Sequence, residues 1–402
     1  MTLFTRKSLF VILATVPLYL FTVTGCIATD SSKANTQETP VVEKQELSFK
    51  PFLRVAEIDG DWSSVNEVAF AIAKYIDETD ESTVAKIGAK TDWTITGENQ
   101  DLKKKVLGVP LPSKKKLRLI ELCNHDYAKL VMEAGSYHAP ALPCEIAVHS
   151  KDGKIYIDIL NPEIIFGLFF ADASAEVRAK IADVPSDVKS EIRAIVKESI
   201  KDRSGYKELF EAMGPVHKAE SFEKLFKEKE PLIVVNYTSP NRESFSQEDI
   251  DQVTHSILNS VLIHGHKVES PKAHYNGLGI ELSSYDWISA RHEGIHIPGG
   301  TKIIEFCSPK YAKIAMSTGI HHATALPCEV AITTSKDKKH LQISFLNPKY
   351  MFGTLFEDAL SQMSADDMKS FGTLPDKVLS DLKKIVNVGL NSSNLNLQEV
   401  AK

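Results

Sequence analysis

The chain has 402 residues, of which 43% are hydrophobic and 25% are charged. These proportions are typical of a globular protein, they exclude a disordered or fibrous one, and the length allows two domains of ordinary size. The net charge of −6 shows no strong basic excess, so the composition does not favour a nucleic-acid partner.

The N-terminal segment has the features of an export signal. Arg6 and Lys7 precede an uncharged apolar run at 9–20, long enough for a signal-peptide core but short for a membrane span. The run leads to the tetrapeptide VTGC ending at Cys26, which resembles a bacterial lipobox. We therefore predict a signal peptide at 1–25 and a lipid on Cys26, with acyl chains such as palmitate. An uncleaved anchor helix is the alternative.

The rest of the chain is one unit written twice. Residues 120–147 return as residues 304–331, with 16 of 28 positions identical. The repeat, together with the composition of the flanking segments, divides the chain as follows: a flexible polar tether at 26–49, a first repeat domain at 50–205, a charged helical connector at 206–230, a second repeat domain at 231–392 and a tail at 393–402.

Hydrophobic spacing predicts the same order of elements in both units. In the first unit we expect a strand at 52–58, a helix at 65–76, a strand at 115–122, a helix at 125–134, a hairpin of 144–149 with 155–160, a helix beginning at Asn161-Pro162 and a final helix through 188–200. This order predicts an α+β fold. We expect two pseudo-symmetric repeated domains, each a small, largely antiparallel sheet with helices packed on it.

The second unit carries a resemblance to a known family. It contains Glu-x-Cys-x-Pro-x-Tyr-Ala at 305–312, Leu-Pro-Cys at 326–328 and Asn-Pro at 347–348. This pattern resembles the bacterial family named domain of unknown function 302; the first unit has His125 in place of the first Pro. The resemblance implies a small α+β domain that often pairs with itself and implies no established reaction. Tandem copies would then form a built-in pseudo-dimer.

A duplicated set of cysteines and histidines is the first candidate site. Its members are Cys123, His138 and Cys144, with Glu145 beside them, and Cys307, His322 and Cys328, with Glu329. Thiolates and imidazoles bind zinc, copper or haem iron, although this spacing matches no known metal signature. Three interpretations stay open: buried apolar cysteines, disulfides such as Cys123–Cys144, or a metal or haem site. Antiparallel strands would place Cys123 and Cys144 at the same end of a sheet, and parallel strands would separate them.

Two further patterns contain residue types that can bind metal or transfer protons. His292-Glu293-Gly294-Ile295-His296 fits H-E-x-x-H, which binds zinc from a helix. Gly294 and the following Pro298-Gly299-Gly300 disfavour a helix, so we predict a polar loop leading into a strand and no metal site. Glu121 and Glu305 flank a cysteine, but the sequence shows no second carboxylate nearby to form an acid/base pair.

These features predict a membrane-tethered binding or scaffolding protein in the bacterial cell envelope. It would face the periplasm or the cell exterior and attach to the membrane through the lipid on Cys26. Its partner would be a protein or small molecule held between the domains. The alternative is a thiol- or metal-dependent enzyme that uses the duplicated Cys/His cluster. The sequence identifies no cofactor.

Overall fold

The computed structural model describes residues 48–77, 93–95, 107–110, 116–142, 144–218, 221–266, 288–297, 300–317, 319–326, 329–360 and 363–401. Residues 46–402 form one compact unit that contains both repeats. The predicted signal peptide and Cys26 lie outside the described residues. Among the described residues, no helix combines the length and the apolar character needed to span a membrane.

The first repeat follows the predicted order of elements. Its elements are β1 (Ser48–Phe49), β2 (Phe52–Asp59), α1 (Val65–Asp77), β3 (Trp93–Ile95), β4 (Leu107–Pro110), β5 (Lys116–Asn124), α2 (His125–Val131), β6 (Cys144–Lys151), β7 (Lys154–Leu160), α3 (Pro162–Phe169), α4 (Ala175–Lys180), α5 (Val184–Ile200) and β8 (Lys207–Met213). Between α2 and β6 the chain forms short 3₁₀ turns, and the second of these, Ser136–Ala141, is called the first 3₁₀ segment below.

The second repeat has a similar succession of described elements, with one strand in place of β3 and β4 and one additional short helix. After β9 (His217–Lys218) and α6 (Phe222–Lys229) come β10 (Leu232–Thr238), α7 (Gln247–His266), β11 (Ile288–Ile297), β12 (Thr301–Cys307), α8 (Pro309–Met316), β13 (Glu329–Thr334), β14 (Leu341–Leu346), α9 (Pro348–Leu355), α10 (Glu357–Leu360), α11 (Ala365–Gly372), α12 (Leu374–Ser392) and β15 (Gln398–Glu399). The turn at Ile320–Ala325, between α8 and β13, is called the second 3₁₀ segment.

Each repeat contributes one antiparallel sheet, as predicted. The described strands of the first sheet have the order β3–β5–β6–β7–β2–β8, with β4 also paired to β5. Those of the second sheet have the order β11–β12–β13–β14–β10–β15. Helices cover one face of the first sheet, where Arg118 of β5 donates to Asn66 of α1 over 2.8 Å. The prediction of an α+β fold with two repeated domains is therefore confirmed.

The repeated Asn-Pro motif begins a helix in both repeats. The side chain of Asn161 accepts a hydrogen bond from the backbone N–H of Glu163, and Asn347 does the same for Lys349, each over 3.1 Å. Each asparagine amide also donates backwards, to the carbonyl of Lys50 or of Glu230, over 2.9 Å. The motif thus caps α3 or α9 and fastens it to the chain that enters the first strand of its own repeat.

The repeated Tyr-Ala motif joins the second helix of each repeat to the last. The hydroxyl of Tyr127 donates to the buried carboxylate of Glu191 over 2.5 Å, and Trp93 donates to the same carboxylate over 2.7 Å. In the second repeat, Tyr311 donates to Asp381 over 3.1 Å. Because both tyrosines reach the long C-terminal helix of their repeat, the motif is structural in both copies.

Each repeat places its 3₁₀ segment against the sheet of the other. The first 3₁₀ segment lies on β12, β13 and β14, and Ser136 donates to the carbonyl of Thr334 over 3.2 Å. The second lies on β5, β6 and β7, and the ring of His321 is 5.0 Å from that of Phe52. Because each copy gives the other the same element, the contact has the reciprocal form of a symmetric dimer interface.

The connector differs from the helix that we expected at 206–230. Among its described residues, Phe222–Lys229 forms a helix, whereas Lys207–Met213 forms β8 along β2. In the same way, Gln398–Glu399 of the tail pairs with β10 as β15. The helical prediction failed for 207–213 because this strand is held by backbone pairing to β2, which side-chain spacing does not reveal. Each repeat thus closes one edge of its sheet with the chain that follows its last helix.

Candidate functional site

A buried ionic network lies on the face of the first sheet that meets the second repeat. Asp158 of β7 is fully buried, and Arg54, its partner across β2, donates to both carboxylate oxygens over 2.9 and 3.2 Å. Nε2 of His149, on β6, lies 2.6 Å from the same carboxylate. Burial by itself would raise the pKa of Asp158, but the hydrogen bonds and charges of His149 and Arg54 lower it below its ordinary value.

The second repeat adds a histidine to this network. His321, in the second 3₁₀ segment, faces Asp158, His149, Arg54 and Lys151. Burial lowers the pKa of His321 to about 4; Asp158 acts in the opposite direction, and the cationic groups add to the lowering. Its Nε2 atom has no hydrogen-bond partner among the described residues. His321 is therefore a neutral imidazole near pH 7, held against an ionic network of the other repeat.

The two predicted histidines, His138 and His322, are packed among aromatic rings. His138 is fully buried, and its ring stacks 4.6 Å from Phe170 while its Nε2 lies 3.3 Å from a carboxylate oxygen of Asp172. The ring of His322 lies 4.3 Å from Phe356, the repeat counterpart of Phe170. Burial lowers the pKa of His322 to about 2, so its ring is neutral. Both side chains are packed in the core.

Cys123 and Cys144 lie at the same end of two antiparallel strands, and both thiols are free. Cys144 is directly opposite Leu122, so Cys123 is one position out of register with it on the neighbouring strand. Burial raises the pKa of Cys123, and it raises that of Cys144 to about 12. Both thiols are therefore protonated near neutral pH.

The surroundings of these cysteines leave little space for a ligand. Both line a cavity of about 30 Å³ beside Tyr127 and Trp93, and His138 is not part of its wall. Such a volume holds about one water molecule. The structure therefore brings the two predicted cysteines together without the predicted histidine. Cys328 and the side chain of Cys307 lie outside the described residues, so the second copy of the cluster stays a prediction.

A pair of glutamates was missed in the sequence. Glu121 is directly opposite Glu145 across β5 and β6, and the two are 1% and 8% exposed. In the second repeat, Glu305 is directly opposite Glu329. The expectation that no second carboxylate lies near Glu121 and Glu305 was wrong, because it considered neighbours along the chain and not across the strands. The antiparallel hairpin order, combined with the two Cys-adjacent glutamates, was the signal that could have found the pair.

The H-E-x-x-H segment is not helical. Residues 292–296 lie inside β11, where the backbone pairs with β12, rather than in the loop that we expected before a strand. The H-E-x-x-H zinc motif requires a helix that presents both imidazoles on one face, and this segment is a strand. Among the described residues, no group of three or more His, Cys, Asp and Glu side chains could hold a metal ion.

A cavity of about 430 Å³ lies in the first repeat, where the helices α3, α4 and α5 meet β1 and α6. Its apolar wall consists of Phe49, Phe166, Phe170, Ile181, Pro185 and Phe222. Glu163, Arg178 and Glu223 provide charged groups in the same wall. The volume lies within the range of small-molecule sites, which are concave and mostly apolar with a few polar groups. This cavity could not be predicted from the repeat, because two of its walls come from β1 and α6, which lie outside the repeated pattern.

The second repeat has a larger side chain at one of the cavity-lining positions. Phe371 occupies the position that Ile181 has in the first repeat, and its ring lies 5.6 Å from Phe352 and 6.1 Å from Phe356. All three phenylalanines are buried. The repeated position that borders the cavity in the first copy therefore holds a packed aromatic ring in the second.

Comparison with known proteins agrees with this duplicated architecture. The family described as domain of unknown function DUF302 matches residues 72–198 and 289–377, which together make up more than half of the chain. The protein therefore belongs to the DUF302 family and carries two copies of its domain in tandem. No curated protein and no solved structure matches the chain.

Proposed function

We propose that this protein is a membrane-tethered, extracytoplasmic binding protein, and that its ligand is a small apolar or amphipathic molecule in the 430 Å³ cavity of the first repeat. The cavity is the observation that carries the proposal. Its volume lies in the range of pockets that hold small organic ligands, such as a short acyl chain or a two-ring compound. This ligand site lies in the first repeat and not between the repeats, where we had expected it. Apolar side chains of both copies are packed together between the repeats.

The position of the cavity supports a role separate from holding the fold together. Two of its walls, Phe49 of β1 and Phe222 of α6, come from outside the duplicated elements, and their rings stack at 6.1 Å. Phe49 is also the last residue of the predicted tether. A site with walls from outside the duplicated elements is what a binding function added to a duplicated scaffold would require.

The alternative of a thiol-dependent enzyme receives less support. A catalytic thiol needs a lowered pKa and access to solvent, whereas burial raises the pKa of both Cys123 and Cys144. The buried Glu121–Glu145 pair lies at the end of the sheet next to these thiols. Both carboxylates are almost completely inaccessible, which disfavours their acting on a substrate from solvent.

Binding of the neutral fluorescent probe N-phenyl-1-naphthylamine to residues 46–402 tests the site. We expect one equivalent to bind. Ile181→Phe, which introduces the residue of the second repeat, should weaken binding by about tenfold or more, since it fills the cavity. Phe371→Ile, the reciprocal change in the second repeat, serves as the control and should leave binding at the first site intact. Unchanged binding by the Ile181→Phe variant would contradict the proposal.

The location is tested separately. Mass spectrometry of protein extracted from membranes should find an acylated Cys26 as the N-terminal residue. An intact Met1 in the membrane fraction would instead support the anchor-helix alternative, and a soluble, unmodified protein would contradict both.

A further inference from the structure

The two ion pairs at the cavity differ in how much of their side chains is exposed to solvent. Glu163 and Lys189 form a half-buried pair at 2.7 Å, with 27% and 24% of their side chains exposed. Arg178 and Glu223 also approach to 2.7 Å, but 42% and 57% of these side chains are exposed. An exposed ion pair contributes between about 0 and 1 kcal/mol, so Glu223 can leave Arg178 at little cost.

Arg178 stays at the cavity without its ion-pair partner. Its Nη1 atom donates to the carbonyl of Ala171 over 2.9 Å, and Ala171 itself lines the cavity. This bond to the backbone fixes the guanidinium beside the apolar wall whether or not Glu223 is in place. Glu223 lies in the first turn of α6, where the helix dipole favours a negative charge, so it remains stabilised when it turns to solvent.

Resting on the binding function proposed above, we infer that the ligand is a single-chain anionic amphiphile, a carboxylate whose apolar chain fills the cavity and whose head group replaces Glu223 on Arg178. A guanidinium binds a carboxylate through two parallel hydrogen bonds, and Arg178 is the one cation among the described residues that line the cavity. The exchange substitutes one carboxylate for another, so the charge beside Arg178 is unchanged.

The second repeat differs from the first at both of these positions. Met368, 45% exposed, stands where Arg178 stands in the first repeat, and Phe371, which is buried, stands where Ile181 stands. The cation and the cavity-lining isoleucine of the first repeat are therefore both replaced in the second, which provides matched residues for exchange.

Calorimetry with decanoate and the neutral analogue decanol tests the inference on residues 46–402. We expect decanoate to bind about tenfold or more tightly than decanol, in line with a hydrogen bond to a charged group. Arg178→Met should remove most of this difference, because it should weaken decanoate binding far more than decanol binding. Glu223→Gln should strengthen decanoate binding several-fold, because it removes the competing carboxylate, and should change decanol binding much less.

The matched control is Lys180→Met, which removes a cation from the same helix. Lys180 pairs with Glu133 and Glu176 and does not line the cavity, so both ligands should bind this variant as they bind the parent protein. Equal affinity for decanoate and decanol, or equal loss of both in Arg178→Met, would overturn the carboxylate inference and leave the apolar site standing. Failure of decanol, decanoate and the naphthylamine probe to bind would overturn the binding function itself.

Discussion

The interface faces of the two sheets differ in charge although they descend from the same repeated unit. On the first sheet, Arg54, His149 and Asp158 form an ionic network. At the corresponding positions of the second sheet stand Val234, Thr333 and Ser344, and the Ser344 hydroxyl has no hydrogen-bond partner among the described residues. The backbone pairing at these positions is the same in both sheets, so the fold of this family tolerates an ionic or an uncharged interface.

The elements that dock on these faces differ correspondingly. His321 approaches the ionic face, whereas its repeat counterpart Tyr137 donates to Asp172 of its own repeat over 2.8 Å. The interface is thus reciprocal in backbone and asymmetric in chemistry. The two copies therefore share their packing but differ in their polar groups. Variants that exchange residues between the copies measure what this difference contributes to stability.

The largest effect is expected from Asp158→Ala. The change leaves Arg54 and His149 buried without their carboxylate, which should lower the free energy of unfolding by about 3–5 kcal/mol. Urea denaturation of residues 46–402 measures the loss. Ser344→Ala, at the counterpart position, should cost less than about 1 kcal/mol, because that hydroxyl makes no hydrogen bond in the described structure.

A triple variant sharpens this prediction. Arg54→Val, His149→Thr and Asp158→Ser together introduce the uncharged set of the second repeat. Because no charge is then left unpaired, the triple variant should recover most of the stability that Asp158→Ala loses. A triple variant less stable than Asp158→Ala would show that the two faces are not interchangeable.

A smaller effect is expected from pH. The pKa of His321 is about 4 in the folded protein, below its ordinary 6.5, so the unfolded chain binds the extra proton first as pH falls. Stability should therefore decrease from about pH 6.5 down to about pH 4, by about 3 kcal/mol if the full shift is realised.

The control for the pH effect is His321→Gln, which cannot titrate. Its stability should fall less steeply over the same interval, although the low pKa of His322 keeps part of the dependence. Unfolding midpoints in urea at intervals between pH 4 and 7 measure both proteins. Parallel curves would show that His321 does not contribute.

The smallest effect compares two glycines in equivalent helices. A Cβ atom at Gly167 would lie 2.2 Å from the ring of Phe222, whereas one at Gly353 would meet nothing within 4 Å. Gly167→Ala should therefore destabilise the protein by about 1–3 kcal/mol and displace Phe222 from the cavity. Gly353→Ala should stabilise it by up to about 1 kcal/mol, since alanine favours a helix. Thermal unfolding of the two variants checks the opposite signs.

Local structure could be predicted from the sequence because it depends on residues a few positions apart. The duplicated Asn-Pro motif predicted the starts of α3 and α9, and the structure confirms both caps. The spacing of apolar residues predicted the helix over 65–76 within one residue of its observed end at Asp77. Helix capping and burial of one helix face both require particular residue types at fixed spacings, so both can be recognised in the sequence.

Contacts between distant strands could not be predicted in this way. Glu145 is 24 positions from Glu121 in the sequence, and β8 is about 150 positions from β2. Which residues face each other depends on strand register, and a shift of one residue would place each of these side chains on the other face. The alternating pattern predicted the strands. Their pairing depends on backbone hydrogen bonds, which nearly every residue type can form, so the pairing partners do not appear in the pattern.

The duplication, the α+β class and the helix caps follow from the sequence without the structure. The tertiary structure is needed to show that His321 lies near Asp158 across the interface. It is also needed to show that Ile181 borders a cavity, whereas Phe371 packs against another ring. Comparison of the two copies shows that these positions differ, but it does not show what each side chain touches. Burial and electrostatic interaction depend on distances in space, and those distances are fixed only when both repeats pack together.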